Sequence, residues 1–371
     1  MSQNFGHAGR HALTESDIAR ILRAAPSADR AAFIDPVQQA LIHRRGWLRM
    51  LAPRAAGGAE LPLPAVVRLE EQIAAIDGSM GWLVTLCAGA GWFAGFLPPP
   101  VAGEIISTRR VCVAGSGAPT GHADREGDGF RITGRWDYAS GAPMATHFTL
   151  NAVLREGGQP LLDDSGAPRI RAFLVPAREV VLVPSWRTIG LRATASHSYK
   201  IDGKWIAADH GFTIDAAQAT ADGPLYRFPF LSLAYFTLAA NLSGMARHFV
   251  QLATPLIARR KRPVVEANQG LPPRVSAAER LRELAQGLEN ARHHFYQLLD
   301  RAWERVDSNQ VLDADETAAI QAASLALVKA CRSAVDEIYP YCGLHAAHEE
   351  SDINRVWRDF HTATQHSLLL P

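Results

Sequence analysis

The sequence predicts an α+β protein of three successive parts: an N-terminal helical domain (1–109), a middle antiparallel β domain (110–222) and a C-terminal four-helix bundle (223–371). Apolar residues recur at helical spacing on both flanks, whereas between Arg110 and about residue 222 they alternate in twos, broken by Gly, Asp and Pro. Strands gathered in one stretch, not interleaved with helices, point away from a parallel sheet. A chain of 371 residues also exceeds what one core usually organises.

The first helical stretch runs from Thr14 to about Arg109. Asp35-Pro36 opens one segment and LPLP at 61–64 another, because proline is tolerated in the first helical turn. The segment 79–96 is rich in Gly, Ala and apolar residues and reads as a helix buried on most sides, ended or interrupted by Pro98-Pro99-Pro100. Six strand-like runs follow: VCVAGSG, GFRITGRW, THFTLNAVL, RIRAFLVP, EVVLVP and SYKIDGKWI. Helices return at about Pro229. Ser276 and Glu279 have capping-box spacing ahead of a long amphipathic face that includes Leu281, Leu288, Phe295 and Val306. A third helix is expected over about Ala314–Tyr339 and a last one from near Asp352, giving a bundle.

With 38 Lys+Arg against 37 Asp+Glu the chain has no overall field to attract a polyanion, so a nucleic-acid partner is not expected. The run from Arg259 to Arg262 reads as a solvated helix end or as a contact to a phosphate. Four cysteines without CxxC spacing suit reduced thiols in a cytoplasm. The N-terminus lacks an apolar signal core, and apolar runs are interrupted before about 18 residues accumulate, so no membrane span is expected.

Gly115-Ser116-Gly117 and Gly121 follow a strand but carry Pro119 and lead into no helix, which removes the helix terminus a dinucleotide loop needs. Cys342, His345 and His348 have no second convergent ligand set, so no metal is expected. GRWDYASG at 134–141 sets an aromatic residue, a hydroxyl and a glycine at a strand end, which suits a flat ring approaching the chain or a Trp/Tyr core cluster. Near the C-terminus Arg355 and Asp359 are spaced to pair, and His366 falls about two turns beyond Asp359.

Taken in order, DGSMGW at 77–82, Pro119-Thr120-Gly121, GRWDYASG, Trp186 with GLRATASH at 190–197, Gly343 and the RVWRD ending with His366 resemble the acyl-CoA dehydrogenase superfamily over nearly the whole chain. They are most similar to its two-component flavin monooxygenase branch. The resemblance implies a flavin-dependent oxidoreductase that takes reduced FAD or FMN from a separate flavin reductase and hydroxylates a small, possibly aromatic, substrate with O2. It further implies a homotetramer. By position Ser140 resembles the hydroxyl beside the flavin, and His366 the terminal histidine that moves a proton during oxygen activation or takes one from the substrate. Trp136, Gly141, Thr120, Arg192, Thr194 and Ser196 would hold the flavin. Trp82, Cys87 and Phe228 would line the substrate pocket, unless they, like Trp92, Phe93, Phe96 and Tyr226, are plain core. Two alternatives stand beside this: an acyl-CoA dehydrogenase in which Glu350 takes the α-proton of a thioester, and a non-catalytic flavin- or partner-binding homologue.

Overall fold

The computed structural model describes residues 9–259 and 276–370. Its N-terminal helices are α1 (Glu15–Ala31), α2 (Pro36–Arg45), α3 (Leu63–Ala74), α4 (Gly78–Trp92) and α5 (Pro99–Ser107). Thr14 and Asp35 form capping boxes, and Asp77 caps α4 by accepting from the Met80 N–H at 2.7 Å. Pro98–Pro100 does more than end a helix: Pro99 opens α5, where its missing donor costs nothing.

The β domain is one nine-stranded sheet: β1 (Val113–Gly115), β2 (Gly121–Glu126), β3 (Gly129–Ala139), β4 (His147–Glu156), β5 (Gln159–Pro160), β6 (Ile170–Pro176), β7 (Val181–Val183), β8 (His197–Ala207) and β9 (Gly211–Phe212). The order is β7-β8-β3-β2-β4-β6-β9, with β1 and β5 also on β4. Most pairs are antiparallel, as expected, but β1 and β2 both run parallel to β4. Strand β2 was not among the runs anticipated. Its sequence GHADRE buries only Gly121 and Ala123, so no apolar alternation announces it.

Four helices form the bundle: α6 (Phe230–Arg259), α7 (Ala277–Asp307), α8 (Ala314–Cys342) and α9 (Asp352–Ala363). Of the basic run, Arg259 is exposed at the end of α6; the rest of it, and the linker at 263–273, lie outside the described residues. One apolar core joins the N-terminal helices to the bundle and takes in Val111–Val113, Leu174 and Phe212. A separate core fills the sheet around Trp136, Phe148, Phe173 and Tyr199. Across the helical interface the buried Glu71 accepts two bonds from Arg292, both 2.7 Å, and one from Ser243 at 2.6 Å, so its charge is paired and its lone pairs are used.

Two helical stretches, Gly78–Phe96 and Ala314–Cys342, are long and apolar enough to cross a bilayer, which corrects the expectation that apolar runs stop short. The first is mostly buried within the protein, as a central core helix must be.

Candidate active site

The site begins where β3 leaves the sheet. A bulge against β8 between Trp136 and Ala139 coincides with Tyr138 at φ +69°, and this break in register turns successive side chains off their alternation. Tyr138 is left 73% exposed, while Ser140 is buried. Gly141 follows at φ +77°, and a Cβ there would lie 3.1 Å from the Cys87 sulfur. Its N–H donates to the Thr194 carbonyl at 2.8 Å, which joins the strand end to the loop 190–196. Side chains make the same connection. Ser140 Oγ lies 2.9 Å from Ser196 Oγ, which lies 2.7 Å from Thr194 Oγ1, and Thr194 donates to the Leu191 carbonyl at 2.8 Å.

The loop is held against α9. Gly190 has no room for a side chain, since a Cβ would sit 2.0 Å from the Arg358 carbonyl oxygen. Leu191 and Ala195 flank the loop's single 3-10 turn in left-handed conformations at φ +50° and +45°, a strain that surrounding contacts must hold. Asp359 accepts from the Leu191 N–H at 2.5 Å, and Arg358 donates to the Ile189 carbonyl at 2.6 Å. Arg358 also forks onto Asp29 of α1 at 2.7 and 3.2 Å. Burial, followed by the charge of Asp77, pushes the Asp359 carboxyl up to about 7. Asp359 and Arg355 do not form the hydrogen-bonded helical pair the spacing suggested: Arg355 bonds Asp352 at 2.7 Å, and only its charge reaches Asp359.

Helix α4 links the two candidate reacting groups. Cys87 donates to the Ser140 carbonyl at 3.4 Å, and Trp82 meets the His366 ring edge-on at 5.9 Å between centroids. Cys87 lies five positions beyond Trp82, about 7.5 Å along the helix axis and about 140° round it. Burial lowers the basicity of His366, so the ring is neutral at pH 7. Its Nδ1 accepts from the Leu368 N–H at 3.3 Å, which places the neutral ring's single proton on Nε2.

Three expected roles are corrected. Trp136 is fully buried in the sheet core, stacked on Tyr199 at 5.4 Å and donating to the Asn151 carbonyl at 2.9 Å, so its ring fills the β domain instead of contacting a flavin. Phe228 is buried beside Phe236 in the helical core, and Trp92, Phe96 and Tyr226 form an aromatic cluster there with Phe230. Glu350 is exposed in the turn ahead of α9, away from the desolvated surroundings that a base for an α-proton needs. Thr120 is exposed and donates to the Arg135 carbonyl at 2.5 Å, five residues up the strand from Ser140 and about 16 Å away by strand rise. Arg192 is half-buried in the 190–196 loop.

One residue was missed. Tyr138 presents an exposed ring, 6.3 Å from that of Trp186 at 78°, two residues from Ser140. In the sequence it falls in phase with the buried Trp136, so alternation alone would bury it. The aromatic pair and the Ser140 hydroxyl thus lie at the end of β3 beside Cys87 of α4, and the neutral His366 lies against Trp82 of the same helix. Among the described residues no group of three or more His, Cys, Asp or Glu is placed to hold a metal.

The family described as acyl-CoA dehydrogenase, C-terminal domain, matches residues 236–371. Indole-3-acetate monooxygenase of Pseudomonas putida is 26% identical over 325 residues, 87% of this chain and 81% of its own. HsaA of Mycobacterium tuberculosis, the oxygenase subunit of a flavin-dependent monooxygenase, is 22% identical over 87% of this chain and 82% of its own. Its crystal structure superposes with a TM-score of 0.87, covering 98% of this chain and 94% of HsaA at 18% identity. XiaF of a Streptomyces species, solved with FADH2 and glycerol, gives 0.85 at 19% identity, over 98% and 91% of the two chains. Residues 236–371 thus match the acyl-CoA dehydrogenase C-terminal domain, and over most of its length the chain is similar in sequence to flavin-dependent monooxygenases and shares the fold of HsaA.

Proposed function

We propose that the protein is the oxygenase component of a two-component flavin monooxygenase, inserting one atom of O2 into a small aromatic substrate. One observation carries the placement of its site: Ser140 and His366 both lie against α4, the first through Cys87 and the second through Trp82. A bound reduced flavin supplies the two electrons that, with two protons, send the second oxygen atom to water. The chain's own residues do the rest. Ser140 holds the polar edge of the ring, the Tyr138 and Trp186 rings flank it, and Thr194 and Ser196 back the serine from the loop. His366, its ring neutral, offers a hydrogen bond from Nε2 to an oxygen that gains charge, while the ring keeps its proton. Thr120 and Arg192 serve the ribityl and phosphate end.

The electrons come from a separate flavin reductase, a reading supported by the description of HsaA as an oxygenase subunit and by the FADH2 bound to XiaF. The working form is a cytoplasmic homotetramer, divided into domains at about residues 109 and 222. Its closure over the site is supported by the exposure of Ile189, beside α9, and of Leu344, at 60% and 83%.

The test is a single turnover. Protein mixed anaerobically with reduced FAD or FMN, then with labelled dioxygen and phenolic or indolic compounds, is expected to give a hydroxylated product carrying the label. Acyl-CoA thioesters added to the oxidised flavoprotein should leave the flavin colour unchanged, and Glu350→Gln should behave as wild type. Bleaching of the flavin by a thioester overturns the proposal in favour of dehydrogenation.

A further inference from the structure

We infer that Thr194 and Ser196 are positioning residues that fix the hydrogen-bond polarity of Ser140 and so make the site select reduced over oxidised flavin; this rests on the flavin reading above. The inference follows from counting protons. Each hydroxyl owns one hydrogen, and a backbone carbonyl owns none. Thr194 Oγ1 is 2.8 Å from the Leu191 carbonyl oxygen, so the Thr194 proton is spent there. Towards Ser196, at 2.7 Å, Thr194 can then only accept. The Ser196 proton is therefore spent on Thr194, and towards Ser140, at 2.9 Å, Ser196 in turn can only accept. The Ser140 proton is thus committed to Ser196.

What Ser140 offers a ligand is a pair of lone pairs and no hydrogen. The starting point of the relay is fixed as well, because the Leu191 carbonyl also accepts from the Trp186 indole at 2.9 Å while the Leu191 N–H is bonded by Asp359. All three hydroxyl-bearing residues are buried, so water does not compete to reverse the order.

An obligate acceptor discriminates between redox states of an isoalloxazine. In the reduced ring N5 bears a hydrogen and can donate; in the oxidised ring N5 has only a lone pair and would face the Ser140 lone pairs. One state gains a bond and the other meets an unpaired acceptor in a buried place. Oxidised flavin is thereby released after turnover and reduced flavin is taken up, which suits a protein that receives its cofactor already reduced.

The measurement is the ratio of dissociation constants for oxidised and reduced FMN and FAD, taken anaerobically by equilibrium titration, with no turnover involved. Wild type is expected to favour the reduced form. Thr194→Val removes the acceptor for Ser196, whose proton is then free to turn towards Ser140 and release the Ser140 proton into the site; the ratio should fall about fivefold. Ser196→Ala should lower it similarly, and Thr194→Ser should restore it. If Thr194→Val and Ser196→Ala keep the wild-type ratio while Ser140→Ala lowers it, the relay is overturned and the flavin reading stands. If wild type binds neither form of either flavin, the flavin reading falls and takes the relay's purpose with it.

Discussion

Replacing His366 with alanine is expected to lower the rate of substrate hydroxylation about a hundredfold, the usual worth of a positioned hydrogen-bond donor to a developing oxyanion, with reduced-flavin affinity changed less than threefold. The expectation comes from where the ring sits. Trp82 supports it edge-on, burial keeps it neutral, and the Leu368 N–H occupies Nδ1, leaving a proton on Nε2 alone. Reduced oxygen that lacks that hydrogen bond takes its protons from water and leaves as hydrogen peroxide, so the variant should consume O2 at a near-normal rate while product per flavin oxidised collapses. Because burial lowers the pKa below its ordinary 6.5, the wild-type product yield should be flat from pH 8 down to about pH 6.5 and fall only at more acid pH, where Nδ1 protonates and loses its backbone donor. A variant with full coupling of oxygen to product removes His366 from the chemistry.

Arg358→Ala should give the largest loss of stability at any single position in the site's support. The guanidinium is buried and shared between Asp29, the Ile189 carbonyl and Asn354, and removing it strands the Asp29 carboxylate in the interior. Breaking one side of a buried pair costs about 3–5 kcal/mol, which lowers Tm by about 4–6 °C in a chain of this size. Calorimetry of Arg358→Ala, Asp29→Ala and the double variant checks the mechanism. The double variant should lose clearly less than the sum of the two, since it buries no unpaired charge. Additive losses would mean that the two side chains act separately.

The three-part architecture was legible because helical and strand periodicities are segregated along the chain, and the starts at Asp35 and Ser276 are marked locally. Strand β2 was not, because a strand that buries only Gly121 and Ala123 carries no apolar signal. Within the site, Ser140, Gly141, Thr194 and Ser196 are brought together, with Cys87 beside them, and His366 rests on Trp82. Trp136 was misassigned because a bulge cannot be seen in a sequence: unbroken alternation puts Trp136 and Tyr138 on one face, and the bulge leaves Trp136 in the core while Tyr138 is turned out. Glu350 was a candidate by resemblance alone, and its exposure ahead of α9 leaves no local mark in the sequence. The Asp29–Arg358 clamp, and the partner of Asp359 in the loop 190–196, join residues far apart in the chain and leave no local trace.

The central claim is that the end of β3 and the last helical segment, set on either side of α4, present Ser140 and His366 to one flat ring. A crystal structure of the protein grown anaerobically with reduced flavin tests it most directly. The account predicts the isoalloxazine against Tyr138, with N5 about 3 Å from Ser140 Oγ and the His366 imidazole facing the same ring. A flavin seated elsewhere, such as the groove of about 700 Å³ between α1 and α2 lined by Arg20, Arg23 and Arg44, with Ser140 untouched, would contradict it.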